Sequence, residues 1–169
     1  MEGKTLVTYA SKHGATAEIA NKIAGVLQDS GLSAEVLPME RVSDLGSYGA
    51  VILGSAVYMG QWRKEAAAFL ENHKNALAGR AVWVFSSGPT GQGDPVELLK
   101  GWRLPEALRP IADHIQPRDI AVFGGALDAA KLGFFERMIL KMVKAPTGDF
   151  RDWAAITAWA QGIAAALKG

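Results

Sequence analysis

The opening stretch, residues 4–20, constrains the chain more than any other. Lys4 to Ala10 reads KTLVTYA, with the β-branched and aromatic residues that suit a strand. Ser11, Lys12, His13, Gly14, Ala15 and Thr16 follow as a short polar turn. Ala17-Glu18-Ile19-Ala20 then begins a helix whose apolar positions, Ala20, Ile23, Ala24 and Leu27, recur at helical spacing. The amides that open a helix have no partner inside it, and the helix dipole adds partial positive charge there. The turn carries two hydroxyls, a glycine and no carboxylate, which makes it a candidate cradle for a phosphate. The competing reading is that Ser11 and Thr16 merely cap the helix.

The rest of the chain repeats the strand-then-helix theme. Residues 33–37, closed by Pro38, 50–55, 81–85 and 119–125 read as further strands. The run at 50–55 is continuously apolar, as in a parallel strand covered on both faces. Ala66, Phe69, Leu70, His73 and Leu77 mark the inward face of a second helix. Residues 96–114 read as short helical pieces broken by Pro105 and Pro110. The last helix starts near Asp152 (or Asp149) as N-cap, with Trp153, Ile156, Ala160, Ile163 and Leu167 on its apolar face. Five alternations predict an α/β protein with a doubly wound parallel sheet of five strands between two helical layers. Length suits a single domain, 1–169, with an extra basic and apolar insert at about 127–148.

Three loops then converge on the carboxyl edge of the sheet, where α/β proteins bind ligands: residues 11–16, 55–62 and 86–94. All are rich in glycine and hydroxyls. Residues 86–94 are almost entirely turn formers.

Composition removes several alternatives. There is no cysteine, which excludes disulfides, thiolate metal sites, iron–sulfur clusters and cysteine nucleophiles; no metal site is expected. Net charge is +1, so no bulk field draws the chain to nucleic acid. The start, Met1-Glu2-Gly3-Lys4, does not look like a signal peptide, and no apolar run has transmembrane length; the expectation is a cytoplasmic protein. No G-x-x-x-x-G-K-[ST] loop occurs, and Gly88, Gly91 and Gly93 neither make G-x-G-x-x-G nor open the first βα unit. With no lysine placed for a triphosphate, the first turn suits a terminal monophosphate.

Ser11-x-x-Gly14-x-Thr16 after the first strand resembles the phosphate loop of flavodoxin-like proteins. Tyr48-x-Ala50-Val51-Ile52-Leu53-Gly54-Ser55-Ala56-Val57-Tyr58-x-Gly60 is similar to the third strand and ring-binding loop of a branch that includes the menaquinone-dependent protoporphyrinogen oxidases. Phe123-Gly124-Gly125, the basic-apolar insert, and Asp149-Phe150-x-Asp152-Trp153 look like the same branch. The resemblance implies strand order 2-1-3-4-5 and flavin mononucleotide (FMN) as cofactor. Its phosphate would sit at Ser11, Lys12, His13, Gly14, Ala15 and Thr16. The flavin ring would lie against Ala56, Val57, Tyr58, Met59, Gly60 and Trp62 on one side and Ser86, Ser87, Gly88, Pro89, Thr90 and Gly91 on the other. Tyr58 or Trp62 would stack on the ring, and glycine backbone would approach its edge. No catalytic side chain is expected, since the flavin carries the chemistry.

For the insert two readings stand. It is an extra helix with a solvated basic face, or it is an amphipathic element whose Lys131, Arg137, Lys141 and Lys144 meet membrane phosphates or porphyrin carboxylates. The leading expectation is an oxidoreductase that passes electrons from a porphyrinogen through FMN to a quinone. The alternatives are an electron-carrier flavodoxin serving partner redox proteins, and a scaffold that has lost its cofactor. His73, His114 and Trp83 are expected to be structural.

Overall fold

The computed structural model describes residues 3–11, 14–58, 61–88, 103–127, 138 and 148–169. In chain order its elements are β1 (Lys4–Ala10), α1 (Ala15–Asp29), β2 (Ala34–Pro38), β3 (Tyr48–Tyr58), β4 (Gln61–Trp62), α2 (Lys64–Ala78), β5 (Ala81–Ser87), α3 (Arg109–Ile115), β6 (Asp119–Phe123), β7 (Ala126–Leu127), β8 (Gly148–Asp149) and α4 (Trp153–Lys168).

The five principal strands are parallel and ordered β2-β1-β3-β5-β6, which is the expected order 2-1-3-4-5 with β5 and β6 as fourth and fifth. Register follows the apolar pattern: Leu6 lies opposite Val51, and Val51 opposite Val82. Alternate residues go to opposite faces. Val7, Ile52, Trp83 and Phe85 pack with Ile19, Ile23 and Leu27 of α1 and with Ile156, Ala160 and Ile163 of α4. Leu6, Val51, Leu53, Val82 and Val84 pack with Phe69, Leu70 and Leu77 of α2 and with Ile115 of α3. Each fully buried aliphatic side chain contributes about 1.5–3 kcal/mol of transfer free energy. The two clusters are the two cores of a three-layer α/β/α sandwich.

Several local expectations are met and others corrected. Asp152 caps α4, its Oδ1 accepting from the Ala155 amide at 3.0 Å. Trp83 is core, with the Arg118 guanidinium 5.2 Å from its ring centroid. His73 stacks on Phe69, and His114 Nε2 lies 3.0 Å from Asn75 Oδ1. Pro110 does not break a helix: it sits in the first turn of α3, where no intrahelical N–H is required. The strands β3 and β5 run further than the apolar runs predict, to Tyr58 and Ser87, because ladder pairing to neighbouring strands carries the backbone past the last apolar residue.

Thr8 is the exception within this packing. It is fully buried in β1, in the same alternation as Leu6 and Ala10, and its Oγ1 has no hydrogen-bond partner. A buried hydroxyl without a partner costs stability. Thr8→Val keeps the shape and β-branching, so it should raise unfolding free energy by about 1 kcal/mol, seen as a higher urea midpoint at unchanged slope. A lower midpoint would contradict this account.

Candidate functional site

The chain leaves β1 towards β2 on one side of the sheet and returns to build β3 on the other. The connections diverge at the carboxyl ends of β1 and β3, and that divergence opens a crevice. Ala10 lies opposite Ser55 there, and Ser55 opposite Ser86.

The first turn has the character of an anion cradle. Ser11 Oγ accepts from the Gly14 amide at 3.1 Å, and among the described residues no acceptor takes the Ser11 hydroxyl proton. Gly14 has φ +89°, in the left-handed region, where an L side chain costs about 1–2 kcal/mol. A Cβ there would meet nothing within 4 Å, so the requirement for glycine is one of backbone, not space. The Gly14 carbonyl accepts from the Glu18 amide at 3.1 Å and starts α1. Among the described residues no side chain caps α1. Ser11, Gly14 and Ala15 are partly exposed, whereas Thr16 is buried.

The second stretch departs from expectation. Residues 56–62 are not a loop throughout: β3 continues through Ala56, Val57 and Tyr58, and β4 returns antiparallel, with Val57 opposite Trp62 and Tyr58 opposite Gln61. Trp62 is not a freely presented stacking ring. It is 7% exposed, belongs to the core beneath α2, and its Nε1 donates to Ser86 Oγ at 2.9 Å.

The third stretch is corrected in the same way. Ser86 and Ser87 are the last residues of β5, both buried, rather than loop residues. The Ser86 hydroxyl also donates to the Arg103 carbonyl at 3.1 Å, so it has a donor and an acceptor role filled within the fold. Ser55 behaves alike, accepting from the Arg63 amide at 3.1 Å and donating to the Ala56 carbonyl at 2.9 Å. These serines fasten the entry to α2, and residue 103, to the strand ends.

Beyond them the rim is backbone against backbone. A Cβ on Gly88 would lie 2.8 Å from Val57 Cβ, and one on Gly125 would lie 3.0 Å from Gly88 Cα; one on Gly124 would be driven into the Phe150 carbonyl. The Gly88 amide donates to the Phe123 carbonyl at 3.2 Å and the Phe150 amide to the Gly125 carbonyl at 2.9 Å. The ends of β3, β5 and β6 are thereby held at fixed spacing.

One residue at this edge escaped the sequence reading. Arg151 is the unassigned middle position of Asp149-Phe150-x-Asp152-Trp153. Its Nε and Nη2 donate to the two carboxylate oxygens of Asp149 at 2.9 and 2.7 Å, and its Nη1 reaches the Ala15 carbonyl at 3.3 Å and Glu18 Oε2 at 3.2 Å. The guanidinium lies 4.8 Å from the Trp153 ring centroid. These bonds hold the Asp149 carboxyl down at about 2. The signal available in sequence was a cation two residues beyond an acid, too common to single out. By contrast, Tyr48, whose hydroxyl donates to Glu35 at 2.8 Å and is pushed up to about 12, mainly by burial, lies at the amino end of β3, away from the crevice.

Lys12, His13, Met59, Gly60, Pro89, Thr90 and Gly91 lie outside the described residues, as do Lys131, Arg137, Lys141 and Lys144 of the insert and the side chain of Tyr58. Among the described residues no group of three acidic or histidine side chains is placed to hold a metal. No helix among them is long and apolar enough to cross a membrane.

The flavodoxin domain family matches residues 6–153. The chain belongs to that family. Among curated relatives, the protoporphyrinogen IX dehydrogenase [quinone] of Escherichia coli K12 is 23% identical, the alignment covering 95% of this chain and 94% of the relative. The protein of the same name in Leishmania major is 24% identical over 96% of this chain and 75% of its own length. Among solved structures, an archaeal flavodoxin superposes with TM-score 0.64 at 12% identity, over 98% of this chain and 99% of its own. The flavodoxin of Streptococcus pneumoniae gives 0.61 at 20% identity, over 96% and 99%. Rubredoxin oxygen:oxidoreductase from Desulfovibrio gigas gives 0.66 at 16% identity over 98% of this chain. The chain spans 36% of that last protein's length. These likenesses establish the flavodoxin fold.

The Ser86 hydroxyl gives a direct check on how this edge is built. Ser86→Ala leaves the buried Trp62 N–H and the Arg103 carbonyl without their partner and should lower stability by about 1–3 kcal/mol. The measurement is a urea unfolding midpoint. A midpoint within error of the parent would show that this bond does not fasten the two elements.

Proposed function

We propose that this protein binds FMN at the carboxyl edge of its sheet and is an oxidoreductase of the protoporphyrinogen-dehydrogenase type, taking electrons from a porphyrinogen and delivering them to a quinone. The observation that carries the reading is the match to relatives of that name over 95% of the chain. The first turn supports a phosphate separately: left-handed Gly14, the Ser11 hydroxyl beside it, and a helix start that no described side chain caps form a donor set suited to a dianion.

Under this reading Ser11, Lys12, His13, Gly14, Ala15 and Thr16 hold the phosphate, each charge-assisted bond contributing about 1.5–3 kcal/mol. Ala56, Val57, Tyr58, Met59 and Gly60 flank the ring on one side, and Ser87, Gly88, Pro89, Thr90 and Gly91 on the other. Trp62 and Ser86 act from beneath by fixing these stretches. FMN, when bound, supplies the acceptance and release of electrons. The side chains keep the ring oriented and limit water around it. Under the same reading Lys131, Arg137, Lys141 and Lys144 on the insert meet the carboxylates of the porphyrinogen or the phosphates of a membrane surface in which the quinone is dissolved, and the proposal is of a cytoplasmic protein with peripheral membrane contact.

A second reading, an electron carrier serving redox partner proteins, is favoured by the solved flavodoxins that superpose over almost the whole chain. The two readings separate in a redox titration of the holoprotein and in turnover. The enzyme reading expects porphyrinogen oxidation with a menaquinone analogue well above the rate of free FMN. Turnover no faster than free FMN, together with two well-separated one-electron steps, would establish the carrier instead.

The cofactor site has its own test. Replacing both hydroxyls, Ser11→Ala with Thr16→Ala, should weaken FMN binding at least tenfold, which corresponds to about 1.4 kcal/mol. Fluorescence titration of FMN measures it, and unchanged affinity would remove the phosphate assignment.

A further inference from the structure

The side chain of Arg151 joins the first turn of α1 to the base of the 127–148 insert. β7 and β8 pair across the insert, Ala126 opposite Asp149 and Leu127 opposite Gly148. Arg151 grips Asp149 with two parallel bonds and extends its remaining arm to the Ala15 carbonyl and to Glu18. Its side chain is only 9% exposed, while Asp149 and Glu18 are 51% and 58% exposed.

This placement runs against the local field. The start of a helix carries partial positive charge, so a cation there is disfavoured. A guanidinium buried at that point calls for more than surface ion pairing, which contributes little on its own. Two carboxylates flank the same turn. Together with Arg151 they carry a net charge of −1, and without it −2, beside the amides that would receive a phosphate. The rigid planar fork also fixes distances in a way a flexible ammonium does not. The bond to the Ala15 carbonyl ties that fork to the residue immediately after Gly14.

We infer that Arg151 is a positioning residue for the phosphate end of the cofactor. It clamps the first turn of α1 to the β7–β8 ribbon and offsets the Glu18 and Asp149 carboxylates, so that the site favours a phosphorylated flavin over its unphosphorylated parent. The inference rests on the FMN reading above and adds a determinant outside the phosphate turn.

The experiment titrates the full-length apoprotein with FMN and with riboflavin, which lacks the phosphate, following flavin fluorescence. Arg151→Met should raise the Kd for FMN at least tenfold and leave that for riboflavin within about twofold. Arg151→Lys keeps the charge without the fork and should fall between. Adding Glu18→Gln to Arg151→Met removes one repelling carboxylate and should recover part of the loss. Equal weakening of both flavins, or an unchanged Kd for FMN, overturns the inference. If Arg151→Met does not fold, the ratio of the two Kd values in Arg151→Lys decides, an unchanged ratio counting against the clamp. A parent protein that binds no FMN defeats the cofactor reading itself and this inference with it. A parent that binds FMN, with variants that bind it equally well, defeats the inference alone.

Discussion

A parallel sheet covered on both faces has only its strand ends left for chemistry. In this chain α1 and α4 close one face, α2 and α3 the other, and the central strands β1, β3 and β5 between them are largely buried. The five principal strands point the same way, so the carboxyl ends of β1, β3, β5 and β6 gather on one edge. The reversal of direction after β2 then opens the crevice beside β1. The candidate site therefore depends less on any one side chain than on the requirement that the central strands bury both of their faces.

Polar groups at that edge divide by whether the fold has already used them. The hydroxyls of Ser55 and Ser86 are committed to amides, carbonyls and the Trp62 indole. Such groups cannot turn to a ligand without leaving a buried partner unpaired, a loss comparable to the bond they would gain. Ser11 differs. It takes an amide proton from Gly14, and no bond donated by its own proton ties it to the described residues. Of the Ser11, Ser55 and Ser86 hydroxyls, that of Ser11 is therefore the better placed to serve an anion.

The same distinction explains what could be read from sequence. Alternation of apolar runs with helical periodicity gave the layers, the sheet direction and the edge, because each is set by residues acting locally or by period. Gly14 and Ser11 were legible because turn chemistry depends on few neighbours. Trp62 and Ser86 were misplaced because their roles depend on each other across 24 residues of chain, and a hydroxyl written among turn formers looks like loop until its strand partner is known. Arg151 was overlooked because two of its partners, the Ala15 carbonyl and Glu18, come near only once α1 and α4 lie side by side.

The insert shows how an excursion can be added at this edge without disturbing the sheet. Its two ends are paired as β7 and β8, Ala126 opposite Asp149 and Leu127 opposite Gly148. The cost of closing such a loop grows only slowly with its length, and the register of β6 with β5 does not depend on what the loop contains. Its root is nevertheless fixed. Gly125 packs against Gly88 at the end of β5, Gly124 lies beneath the Phe150 carbonyl, and Arg151 reaches the first turn of α1. Whatever sequence occupies the insert must depart from the rim of the crevice, between the proposed ring-binding and phosphate-binding stretches. An element placed there lies beside the proposed phosphate turn, which the Arg151 guanidinium joins to the base of the insert through the Ala15 carbonyl and Asp149.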